Sequence, residues 1–333
     1  MTTRSVVDEL VAEAGVEAAG VKTGVAALLY TYRCTIACRH CLFGCSPGSP
    51  RVHMATPQAV KHLHALHELG RVIHIAGGEA MVYWDDLRAV LEQSRAEGVQ
   101  PHFIETNCSF AATDAIVAER LGVLKANGVA GILLSADPFH QVFVPPERFL
   151  RVRRQAYELF GERNVWCNRD PDEKIRGLPG IAADEGLLRE YVRANPPTLV
   201  GTAHRELRGC FDAVPVGEGP TAGCTVEFSE RIWEIHIDPY ENIQTNCGVI
   251  LGRADTISPA EIVERGPANA NHITRLLADG GPLALAKLAR DRHGFVVPER
   301  AASKCDLCYA TRLFLRRFYP GILGPAEVYA DPA

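Results

Sequence analysis

Residues 34–41 read Cys34-Thr35-Ile36-Ala37-Cys38-Arg39-His40-Cys41, three cysteines in a C-x3-C-x2-C spacing. They follow AALLYTY, residues 26–32, whose apolar and aromatic character predicts a first strand. Three thiolates close together on a loop hold three irons of a [4Fe–4S] cube and leave the fourth iron open to a ligand. A structural zinc site is the competing reading, with Cys45 as a fourth donor, although zinc wants four ligands and usually takes paired C-x2-C units.

Outward from this stretch, β-rich and amphipathic helical runs alternate. Strands are predicted at 71–76, 101–106, 129–135, 164–168 and 197–201, and helices at 57–69, 84–97, 112–126 and 147–160, with a leading helix over 5–19. Thr56 reads as an N-cap with Pro57 at the first helical position, and Gly70, Gly98, Gly128 and Gly161 stand where helices should stop. Six strand–helix units of about thirty residues predict an α/β fold, a parallel sheet curved into a partial (β/α)6 TIM-like barrel. The alternation ends near residue 205, which divides the chain into a helix over 1–25, a barrel over 26–205 and a small second domain over 206–333.

The composition narrows the function classes. The chain has 333 residues, 23% charged and 47% apolar, which excludes disorder and a small disulfide scaffold. A net charge of −5 argues against a nucleic-acid binder and suits a neutral or cationic partner. No apolar run approaches membrane length, and residues 1–9 show no signal peptide, so a cytoplasmic location is expected, with the 11 cysteines as metal ligands and thiols.

Polar residues recur at the ends of the next three strands: Gly77-Gly78-Glu79, Glu105-Thr106-Asn107 and Ser135-Ala136-Asp137. Two glycines admit close backbone approach, a carboxylate can meet an ammonium group, and ligands collect at the carboxyl ends of α/β sheets. Taken with the cysteine triplet, residues 26–205 resemble the radical S-adenosylmethionine (SAM) superfamily. The resemblance implies a SAM-binding [4Fe–4S] cluster on Cys34, Cys38 and Cys41, with His40 at a position usually aromatic. It implies SAM contacts from Gly77, Gly78 and Glu79 to the amino group, and from Thr106, Asn107, Ser135 and Asp137 near the carboxylate and ribose. Ala80, Cys108 and Pro138 depart from the family pattern, where proline, glycine and glycine are common. The chemistry implied is reductive cleavage of SAM to a 5′-deoxyadenosyl radical that takes a hydrogen atom from a substrate C–H, which needs a reductant such as flavodoxin or ferredoxin.

Five further cysteines lie beyond residue 205: Cys210, Cys224, Cys247, Cys305 and Cys308. Cys305-Asp306-Leu307-Cys308 precedes a basic helical run over 311–317, and Cys210-x8-Gly219-x4-Cys224 comes within one residue of the C-x9–15-G-x4-C half of the superfamily's twitch and SPASM extensions. This resemblance implies a twitch-like domain whose auxiliary [4Fe–4S] cluster is held by Cys210, Cys224, Cys305 and Cys308. Cys247 is then left as the free thiol, with the alternative open that it is a ligand. The last cysteine of this hairpin is a ligand in many relatives, although Asn242 stands where those have glycine. A thiol beside a radical returns a hydrogen atom, so the expected reaction is epimerisation of a small polar metabolite. The superfamily's aminoglycoside epimerase, which converts neomycin C to neomycin B, is similar in this respect. The alternatives are a twitch-type dehydrogenase that passes an electron to the auxiliary cluster, a peptide-modifying enzyme, and a non-enzymatic iron–sulfur or zinc carrier.

Overall fold

The computed structural model describes residues 6–217, 223–228 and 234–330. It divides into two compact units. The first comprises 1–36, 46–188 and 237–239; the second comprises 37–45, 189–236 and 240–333.

In the first unit the leading helix is two helices, α1 (Val6–Ala14) and α2 (Val16–Thr23), separated by Gly15 at φ 91°. A Cβ at Gly15 would lie 2.3 Å from the Arg163 carbonyl oxygen, so the break sits where another backbone presses close. Strands β1 (Val25–Leu29), β2 (Val72–Ala76), β3 (Phe103–Thr106), β4 (Gly131–Leu134) and β5 (Val165–Cys167) pair in parallel in the order β5–β4–β3–β2–β1. The register runs Val25 to Val72, His74 to Phe103, Phe103 to Gly131 and Ile132 to Val165. β1 and β2 are buried along their whole length, as expected of a parallel sheet covered on both faces.

The crossovers carry α3 (Thr56–His67), α4 (Trp84–Glu97), α5 (Asp114–Ala126), α6 (Pro138–Gln141) and α7 (Pro146–Phe160). Gly70, Gly98, Gly128 and Gly161 all take positive φ where the helices stop, as anticipated. Thr56 is already helical in α3, with Ala55 as its N-cap and no side-chain cap bond. The sixth strand does not form: 197–201 belongs to no strand, and the Val200 N–H turns back to the Thr198 carbonyl at 2.8 Å. Pro196 and Pro197 carry no N–H for a ladder, which accounts for the difference. In its place stand α8 (Asp172–Ala183) and α9 (Glu185–Ala194), unanticipated because Gly177, Pro179 and Gly180 interrupt the helical pattern.

The second unit holds α10 (Thr202–Leu207), α11 (Thr225–Phe228), α12 (Pro259–Arg265), α13 (His272–His293, broken at Gly281), α14 (Lys304–Leu315) and α15 (Ala326–Tyr329). Its strands are β6 (Val214–Pro215), β7 (Glu234–Ile237, whose last residue falls in the first unit), β8 (Asn242–Thr245), β9 (Ile250–Arg253) and β10 (Arg300–Ala301). β8 and β9 form an antiparallel hairpin, and β6 pairs with β10. α13 packs on α14, with Ala286, Ala301 and Leu307 forming a small core closed by Val216, Phe295 and Val297. Among the described residues no helix is long and apolar enough to cross a membrane.

Candidate active site

The turn after β2 is fused to the chain leading into the cysteine stretch. Beyond the β1–β2 ladder, Gly78 N–H donates to the Thr31 carbonyl at 2.7 Å and Glu79 N–H to the Arg33 carbonyl at 3.0 Å. Gly77 sits at φ 141°, and a Cβ there would lie 2.5 Å from the Thr31 oxygen. At Gly78 a Cβ would lie 2.2 Å from the Arg33 oxygen. Both glycines are required by backbone contact, and the contact fixes the residue just before Cys34.

Glu79 is only 2% exposed. Its carboxylate accepts from Met81 N–H at 3.1 Å, from the Thr106 hydroxyl at 3.1 Å and from Asn107 N–H at 2.8 Å. Burial pushes the Glu79 carboxyl up to about 7 against these hydrogen bonds. Asn107 reaches further: its amide donates to the Cys34 sulfur at 3.4 Å and to the Thr35 hydroxyl at 3.1 Å. The structure therefore brings Gly77, Gly78, Glu79, Thr106, Asn107 and Cys34 into one connected group.

Ser135 and Asp137 lie at the end of β4. Ser135 N–H continues the ladder to the Thr106 carbonyl at 3.0 Å. The Asp137 carboxylate caps α6 through Phe139 N–H at 2.8 Å and His140 N–H at 3.0 Å, and it pairs with the His140 ring at 2.8 Å. Cys108 is buried at φ 64°, the left-handed region that favours glycine. Its departure from the family pattern is thus a strained backbone position, and burial holds its thiol well above the ordinary range.

A cavity of about 340 Å³ opens beside this group, bounded by Thr35, Glu79, Ser109, Phe110, Arg120 and Arg148. The Arg120 guanidinium lies 4.8 Å from the Trp84 ring centroid and donates to the Met81 carbonyl at 3.2 Å, while Arg148 donates to the Ser109 carbonyl. Sequence reasoning missed both arginines, because a lone arginine on a helix after a strand reads as solvated surface. Two guanidinium groups on one cavity wall suit a carboxylate.

Cys38, His40 and Cys41 belong to the segment 37–45 of the second unit. Cys41 N–H bonds the Cys38 carbonyl at 3.2 Å, and the Cys45 N–H donates to the Cys41 sulfur at 3.4 Å. A hydrogen bond from the Cys45 side chain draws the Cys41 thiol down to about 6 although burial opposes it. The thiolate form is therefore accessible at neutral pH, which fits a sulfur that binds iron. Cys45 acts here as a donor to Cys41. His40 is half-buried in the same segment. Gly201, at φ 60°, allows the chain before α10 to approach: a Cβ would lie 2.3 Å from the Leu42 oxygen, and Thr202 N–H bonds the Cys41 carbonyl at 3.0 Å.

Among the later cysteines, Cys305 and Cys308 open α14, where Ser303 caps the helix through Asp306 N–H at 3.1 Å. Burial raises the Cys305 thiol to about 11, and the neighbouring Cys308 and Cys224 sulfurs add to the rise. Burial likewise raises Cys224 and Cys247, with Cys308 adding in both cases. Cys247 lies in the β8–β9 turn, its sulfur 3.1 Å from the Thr245 hydroxyl. Cys210 ends a short 3-10 turn and is buried; its carbonyl accepts from Arg193 at 3.0 Å. Gly219 of the anticipated pattern lies outside the described residues. Arg312, one turn beyond Cys308, is fully buried with its Nε unpartnered. Soft sulfur donors near a buried cation whose Nε has no hydrogen-bond acceptor fit an anionic iron–sulfur group.

Residues 28–160 match the radical SAM superfamily. A solved structure, described as the crystal structure of BtrN in complex with AdoMet and 2-DOIA, is similar over 78% of this chain and 88% of that one, with 13% identity and a TM-score of 0.45. A likeness at that level bears on neither activity nor substrate. No curated protein sequence matches the chain. The superfamily match runs from the end of β1 through β4 to the end of α7, with the cysteine stretch and the Gly-Gly-Glu turn inside it, so residues 28–160 are similar to a radical SAM domain.

Proposed function

We propose that this enzyme epimerises one carbon of a small polar substrate, an aminoglycoside being the class that its net charge of −5 suits. When bound to Cys34, Cys38 and Cys41, a [4Fe–4S] cluster together with SAM supplies a 5′-deoxyadenosyl radical. Glu79 meets the SAM ammonium group, Arg120 and Arg148 meet its carboxylate, and Ser135 and Asp137 serve the ribose. Asn107 holds Cys34 through its amide, and His40 closes the cysteine loop. Cys247 returns a hydrogen atom to the opposite face of the substrate carbon. Its sulfur is left one electron and one proton short, and both come from solvent and a flavodoxin- or ferredoxin-like reductant. The auxiliary [4Fe–4S] cluster is assigned to Cys210, Cys224, Cys305 and Cys308.

The observation that carries this reading is the state of the Cys247 thiol. A thiolate cannot donate a hydrogen atom, and burial keeps Cys247 protonated while the Thr245 hydroxyl orients it. One observation favours a second reading: Cys308 acts on Cys247 as it does on Cys224 and Cys305. In that arrangement Cys247 joins the ligand set, Cys210 is spare, and oxidation by electron transfer to the auxiliary cluster becomes the expected reaction.

Turnover in deuterium oxide separates the two. Epimerisation places one deuterium at the inverted carbon, and Cys247→Ala stops turnover while retaining iron and hydrogen abstraction. Loss of about four irons from Cys247→Ala, with product lacking deuterium, establishes the second reading instead.

A further inference from the structure

Arg312 is the largest fully buried side chain of the protein's described residues, 1% exposed. It follows Cys308 by four positions on α14, so the two side chains share one face of the helix. The rings of Tyr309 and Tyr329 stack with centroids 5.4 Å apart, and the guanidinium lies 5.5 and 5.6 Å from them. It donates to the Tyr329 hydroxyl at 2.6 Å and to the Cys247 carbonyl, and it hydrogen-bonds the Cys308 sulfur. The Tyr329 hydroxyl in turn donates to the Gly248 carbonyl at 2.7 Å, tying the β8–β9 turn to the same assembly.

Arginine does not lose its proton in a protein, so this position is a permanent buried charge. Such a charge costs several kcal/mol unless an anion faces it. The carbonyl and phenol that Arg312 bonds are neutral. Glu227 lies within electrostatic reach but is not among the groups that Arg312 hydrogen-bonds. Beside Arg312 stand two sulfurs, Cys308 one turn back on the same helix face and Cys247, whose carbonyl it bonds.

We propose that Arg312 is the fixed counter-charge of the auxiliary iron–sulfur site and sets its reduction potential. The inference rests on the reading that Cys308 and its neighbours hold that cluster. Reduction adds one negative charge, and a guanidinium fixed nearby in a low-dielectric interior stabilises the reduced form. A hydrogen bond to a ligand sulfur acts in the same direction. Arg312 is a positioning residue, and its effect makes the auxiliary cluster a better electron acceptor.

The test is a redox titration followed by electron paramagnetic resonance, on full-length protein carrying both clusters. Arg312→Met should lower the auxiliary midpoint, making reduction at least tenfold less favourable, or about 59 mV for one electron. The first cluster's midpoint and the iron content should stay unchanged. Arg312→Lys keeps the charge and should retain most of the wild-type midpoint. Should the methionine variant fail to fold, Arg312→Gln, which keeps N–H donors without the charge, carries the same expectation. An unchanged midpoint in a charge-free variant that holds its iron overturns the proposal, as does a lysine variant shifted as far as methionine. Wild-type protein that takes up only about four irons overturns the reading beneath it, and the iron count distinguishes that failure from the other two.

Discussion

Asn107 joins the end of β3 to the first cysteine of the triplet through one amide, shared between the Cys34 sulfur and the Thr35 hydroxyl. Groups that hydrogen-bond a metal ligand usually change affinity or activity about 10- to 100-fold when removed. Asn107→Ala should therefore retain iron but slow release of 5′-deoxyadenosine by about that factor, measured under dithionite and SAM. Glu79 makes a prediction in pH. Its carboxyl ionises near 4.5 when unfolded and near 7 in the fold, so the folded state holds the proton more tightly. Stability should accordingly fall as pH rises from about 4.5 to 7, by up to about 3 kcal/mol in SAM-free protein. Glu79→Gln should flatten that slope, and thermal unfolding between pH 5 and 8 measures it; parallel slopes in the two proteins would exclude Glu79 as the cause.

At the scale of elements, two glycines let the chain pass close to the cysteine loop. Gly78→Ala drives a Cβ against the Arg33 carbonyl, and Gly201→Ala drives one against Leu42 while adding left-handed strain of about 1–2 kcal/mol. Either variant should lose iron at the first site on desalting while keeping the auxiliary iron, and full retention at both sites would contradict the backbone-contact argument. The Gly-Gly-Glu stretch alone reads equally well as a plain turn, and it stood out only beside the cysteine triplet and the other polar strand ends; the role of Gly201 was not legible, because it depends on a segment far away in sequence. The strand-and-stop pattern of β1 to β5 was readable from β-favouring runs and helix-ending glycines. The sixth unit misled because 197–201 has the right apolar content but follows paired prolines. Arg312 was hidden in a basic run over 311–317 that reads as a solvated helix face, and only tertiary packing turns one of its arginines inward.

For the whole molecule, the cysteine count and order lead to the expectation of iron–sulfur sites, whereas the partition of the later cysteines depends on how distant turns pack. Cys224, Cys247 and Cys305 each feel Cys308, a grouping that spacing alone does not give. Anaerobic reconstitution should load about eight irons per chain, falling to about four in Cys305→Ala and in Cys34→Ala, each variant losing one cluster. The same preparations carry the most direct measurement of the central claim. Wild-type protein given dithionite and SAM should release 5′-deoxyadenosine and methionine in equal amounts, and Cys34→Ala should release neither. Wild-type protein that holds its iron yet returns SAM intact, or that is purified with zinc at Cys34, Cys38 and Cys41, would contradict the account.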